Sequence, residues 1–121
     1  MGLDQYWLVK EQNEEGEDEY LDIHTHRKFN ALQGFMQEEW AAQGNEEDFN
    51  CQNLEITSEI LNKLEERTNT DTLKPTSGFF FGSTEKDDWY YEDLKHLKDD
   101  VIPDIRQRIE AGETIVYSCW Y

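Results

Sequence analysis

Asp22, His24 and His26 stand at i, i+2 and i+4. On a β-strand that spacing places all three side chains on one face. Imidazole and carboxylate groups so arranged can ligate a divalent metal. An exposed polar strand face beside a basic helix start produces the same pattern. No further His or Cys lies near in sequence to complete a ligand set. The reading is therefore no metal requirement and no cofactor. His96, the third histidine of the chain, falls on the exposed side of a helix and takes no role.

Cys51 and Cys119 are the two cysteines, far apart and in no CxxC pair. Neither has a basic neighbour or a helix N-terminus to favour the thiolate, so both read as reduced structural thiols rather than nucleophiles. No nucleophile elbow, P-loop or dinucleotide fingerprint is present. GFFFGST has two glycines but lacks the lysine of a phosphate cradle. Arg27, Lys28 and Asn30 form the one compact basic cluster of the first half, at the start of a helix. They can pair with nearby acids, or form a small anion or nucleotide pocket with the Gly-flanked strand at Gly78 and Gly82.

Acids outnumber bases 28 to 11 in 121 residues, a net charge of −17. A chain of this mass folds to a surface of about 6,800 Å². That leaves one net negative charge per roughly 400 Å², which disfavours nucleic acid and anionic membranes as direct partners. Aromatics at 13% separate the chain from acidic disordered sequences, which are poor in them. No run of 18 apolar residues occurs, so no membrane-spanning helix is expected. The opening MGLDQYW lacks the pattern of a secretory signal. One acid-rich surface is a helix bearing Asp87, Asp88, Glu92 and Asp93. With Trp89, Tyr90 and Tyr91 as aromatic anchors, it forms a candidate contact for a protein with a basic surface.

The elements that would position these groups are set by period and punctuation. Gln5 to Lys10 reads as a strand, and 11–19, with six acids and a glycine, as a mobile solvated loop. Tyr20 to Thr25 alternates like a short strand or extended entry. Phe29, Leu32, Phe35, Met36 and Trp40 mark an amphipathic helix from Arg27 to Gln43, closed by Gly44. Leu54 and Ile56 lead into Thr57, an N-cap for a second helix to Arg67. Phe79 to Phe81 reads as a buried central strand. A third helix, capped by Ser83 or Thr84, buries Tyr90, Leu94, Leu97, Val101, Ile105 and Ile109. Pro103 should kink or split it, and Gly112 closes it. Thr114 to Tyr121 is a final strand. The expected fold is α+β: one domain over 1–121, a mixed or antiparallel sheet including both termini, and about three helices.

Three stretches, MGLDQYWLVK, HRKFNALQGFM and LKPTSGFFFGSTEKDDWYYEDLKHL, resemble a family of small tailed-phage proteins. That family has an MGLD-x-Y start, an R-K-x-N helix and an SGFFFGST strand. The resemblance spans most of the chain, and the FFFGST stretch is its most specific part. It implies a phage accessory protein acting in the host cytoplasm. Two functions fit. One is an inhibitor of a host factor, such as a defence nuclease, a restriction enzyme or RNA polymerase, in which carboxylates imitate a phosphate backbone. The other is a protein that sequesters or modifies a nucleotide or other small ligand through Arg27, Lys28 and Asn30. A simple enzyme is the least supported reading.

Overall fold

The computed structural model describes residues 3–70, 72–73 and 88–120, apart from the Trp89 side chain. Its elements are β1 (Asp4–Gln12), β2 (Asp18–Arg27), α1 (Asn30–Ala42), β3 (Asn53–Ile56), α2 (Ser58–Asn69), α3 (Asp88–His96), a π-helical turn (Leu97–Val101), α4 (Ile102–Glu110) and β4 (Thr114–Trp120). The fold is α+β, with an antiparallel four-stranded sheet in the order β2-β1-β4-β3. The first and last strands are its central pair. The expected strand Phe79 to Phe81 and its flanking Gly78 and Gly82 lie outside the described residues.

Residues 11–19 depart from expectation. β1 and β2 run into both ends of this segment and close in a hairpin, with Glu11 opposite Glu19 and Gln12 opposite Asp18. The cause is Asn13. Its side-chain oxygen accepts the amides of Glu15 at 2.9 Å and Glu17 at 3.0 Å, and Gly16 takes the left-handed conformation at φ 80°. Glu11, Asp18 and Glu19 are therefore carried by a paired ladder, and Glu14, Glu15 and Glu17 by its turn.

An unexpected fourth strand, β3, arises where Leu54 and Ile56 turn inward against Tyr117 and Ile115. Cys51 starts it: its left-handed backbone, φ 63°, aims its amide at the Cys119 carbonyl, 2.8 Å away. Helix α1 begins three residues later than expected, because β2 continues to Arg27 and Lys28 turns the chain at φ 57°. Thr57 caps α2 as expected, accepting the Ile60 amide at 3.2 Å. Gly44 and Gly112 end α1 and α4 with positive φ.

Pro103 neither splits nor ends its helix. Proline crowds the carbonyl four residues earlier, and the turn before it widens to π geometry, with the Ile102 amide bonded to the Leu97 carbonyl. His96, Val101 and Ile102 all keep right-handed helical dihedrals. Helix α3, the π turn and α4 thus form one continuous limb.

One sheet face carries Gln5, Trp7, Val9, His26, Leu54, Ile56, Ile115, Tyr117 and Cys119, all buried. Against it lie Phe29, Leu32, Met36, Leu61, Leu64, Leu97, Val101, Ile102 and Ile105 from the helical side. Arg106 of α4 ties to α2 through Asn62 at 2.7 Å and Glu65 at 3.4 Å.

A hydrogen-bonded chain crosses this core. Gln5 accepts the Phe29 amide at 2.8 Å and donates to the Phe29 carbonyl at 2.9 Å and the Tyr117 hydroxyl at 2.8 Å. Tyr117 donates to Gln33 at 2.6 Å, and Gln33 donates to the Cys119 sulfur at 3.2 Å. Gln5, Gln33 and Tyr117 are fully buried. Gln5→Ala orphans the Phe29 amide, removes the donor to the Tyr117 hydroxyl and leaves the Phe29 carbonyl only the Gln33 amide, so a loss of about 2–4 kcal/mol in urea denaturation is expected. A loss under about 1 kcal/mol would show that water replaces the amide freely.

Candidate functional site

The structure brings all three histidines together, although only two are near in sequence. The β1–β2 register slips between Trp7 and Leu8, so that His24 opposes Trp7 while Asp22 opposes Leu8 and Ile23 is the extra residue. This bulge breaks the alternation. His24 and His26 keep the inner face, with Trp7 and Gln5, and Asp22 shares the face of Leu8. The metal pattern read from i, i+2, i+4 is thereby undone. Among the described residues no three acids, cysteines or histidines are arranged to hold a metal.

The third member is His96, at the end of α3. Its ring centroid lies 5.9 Å from that of His26 and 6.3 Å from that of His24. The helical limb adds carboxylates. His24 Nε2 donates to Asp104 Oδ2 at 2.7 Å, and His96 Nδ1 stands 3.0 Å from Asp100 Oδ2. Asp104 also accepts Arg108 Nε at 3.0 Å, and Arg108 reaches Glu113 at 3.3 Å. Burial favours protonation of Asp104, but hydrogen bonds from His24 and Arg108, and their charges, outweigh it and hold the carboxyl below its ordinary value. His26 is buried, and its Nε2 accepts the Trp7 indole N–H at 3.0 Å. The neutral ring therefore carries its proton on Nδ1. Burial, then the neighbouring His96 and His24, push its pKa down to about 3.

No simple signal announces this cluster. Asp104 and Arg108 are a helical i, i+4 pair, but nothing in the sequence says that they face a strand 80 residues earlier. His96, assigned no role from its helical position, is the residue that reasoning missed.

The acidic face of α3 is the second feature. Asp88, Tyr91 and Glu92 are exposed, Tyr91 by 50%, while Asp93 is half-buried and engaged within the chain. Tyr90 lies in the buried stripe, as its spacing predicts, and is not one of the surface anchors. It is 6% exposed and donates its hydroxyl to the Leu73 carbonyl at 2.5 Å. Its ring meets Tyr91 edge to face at 5.1 Å. Asp87 and the Trp89 side chain lie outside the described residues.

Arg27 and Lys28 are exposed where β2 ends, ahead of α1. Arg27 ends β2 opposite Asp4, Lys28 occupies the left-handed turn, and Asn30 is buried with partners of its own. The amides of Phe29 and Asn30, which an anion at this helix start would use, are bonded to Gln5 and to the Lys28 carbonyl. Cys119 is a buried thiol raised to about 11, first by burial, and Cys51 is exposed; both are free. No helix of the described residues is long and apolar enough to cross a membrane.

No family model, curated protein or solved structure matches this chain.

The histidine cluster makes stability depend on acid. The unfolded chain protonates His26 near 6.5 and the native chain near 3. Stability is therefore whole above about 6.5 and declines as pH falls toward 3, at up to about 1.4 kcal/mol per pH unit. Urea midpoints measured between pH 7.5 and 4 should fall accordingly, and His26→Gln should flatten the decline.

Proposed function

We propose that this protein is an acidic binding module whose partner is a protein with a basic surface. The observation that carries the reading is the solvent face of α3. Tyr91, with its ring exposed, shares this face with the exposed Asp88 one turn before it and the exposed Glu92 next to it. The helix beneath is locked down by buried Tyr90 and Leu97. An aromatic amid acids on a rigid support supplies both parts of such an interface. The charges steer encounter, and the ring supplies the desolvated contact that surface ion pairs alone do not. The β1–β2 hairpin supports the same reading, because it holds Glu11, Asp18 and Glu19 on a hydrogen-bonded ladder.

The resemblance to tailed-phage proteins supports a host factor as the partner. A defence nuclease, a restriction enzyme or RNA polymerase each presents a basic nucleic-acid groove. A protein with net charge −17 would compete there by occupying sites meant for phosphate.

Capture from bacterial lysate at low salt, salt elution and mass spectrometry would name the partner. With it in hand, Asp88→Lys combined with Glu92→Lys should slow association about tenfold and leave the melting temperature unchanged. Tyr91→Ala should mainly speed dissociation. Full affinity in all three changes, or binding only of a free nucleotide through Arg27 and Lys28, would replace this reading with that of a small-ligand protein.

A further inference from the structure

The seam between β2 and the helical limb is built unlike the rest of the interior. Among the described residues β2 is an edge strand, paired with β1. Along its length His26 is the one fully buried residue; Ile23 and His24 are half-buried, and Leu21 is exposed. Beside the half-buried Ile23, the limb meets β2 through imidazoles and a carboxylate. Farther in, the limb is held by hydrocarbon: Leu97, Val101, Ile102 and Ile105 are fully buried in the common core.

We infer that this seam is a proton-operated joint: acid opens edge strand β2 away from the α3–α4 limb while the central pair β1–β4 and the strand β3 remain closed. The geometry sets the sign. The Trp7 indole N–H points at His26 Nε2. Protonation there sets two donors against each other and removes the bond. The new charge lies beside His24 on its own strand and His96 on α3. The facing groups on the limb are Asp100 on the π turn and Asp104 and Arg108 on α4, with Glu113 just beyond. Asp104 is already shared between His24 and Arg108, and Asp100 holds His96. Among the described residues none of these carboxylates is bonded to His26, so its charge is met by hydration, which requires opening. Opening at the edge exposes little apolar surface, whereas opening the limb from the core would expose much.

Hydrogen exchange of the full chain at pH 7.5 and pH 5.0, corrected for intrinsic rates, tests this. The protonation difference predicts that β2 amides lose about 30-fold protection over this range. The β3–β4 ladder should keep its protection. In His26→Gln, whose amide can still accept from Trp7 and does not titrate, the β2 loss should vanish. The wild-type chain gives an independent readout, since the Trp7 indole N–H should lose its own protection in step with β2. Unchanged β2 protection at pH 5.0, equal loss in every strand, or the same loss in His26→Gln would each overturn the inference.

Discussion

The side chain of Gln5 sets the position of everything else. Its amide makes the two hydrogen bonds to Phe29 that a neighbouring strand would make, and a third to Tyr117. A first-strand residue thus fixes the start of α1 and the last strand at once. Tyr117 passes the constraint to Gln33 on α1, and Gln33 to Cys119. In a low-dielectric interior an unpaired member of this chain would be costly, so its groups are satisfied together. This network also explains why two glutamines are buried in a core otherwise made of Trp, Tyr, Phe, Leu and Ile. They specify one register of helix on sheet, which hydrocarbon packing alone does loosely.

That anchoring has a consequence for the basic residues at the start of α1. The amides of Phe29 and Asn30 are already bonded, and Asn30 is buried. A helix start is an anion site only while its N–H groups are free. Here the same atoms serve the fold, and chemistry at the surface falls to the acids.

The helical limb joins two roles through one local device. The π turn before Pro103 lets the chain continue without a break. Its extra residue rotates α4 relative to α3, so His96 and Asp104 both face β2 while Tyr91 and Glu92 face solvent. The stripe of Tyr90, Leu97, Val101 and Ile105 stays buried throughout. A bulge in β2 performs the matching rotation on the strand side. The histidine seam exists because two one-residue irregularities, one in a helix and one in a strand, face each other.

The amino-acid sequence alone determined the class of fold, the strands at both termini, the helices marked by three- and four-residue spacing, the Thr57 cap and the glycine stops at Gly44 and Gly112. These depend on local dihedral preference and on the period of burial, both written in neighbouring residues. It also determined the acidic surface, since net charge is a sum and needs no geometry. The tertiary structure decided the rest. Asn13 turned an acid-rich stretch into a hairpin, Cys51 docked an extra strand on β4, and Tyr90 and Tyr91, adjacent in sequence, were sent to the core and to solvent. Only the fold could bring His96 to His24 and His26 and remove Asp22 from them. Contacts between residues distant in sequence depend on register, and a single bulge shifts register by one, which moves every later side chain to the other face.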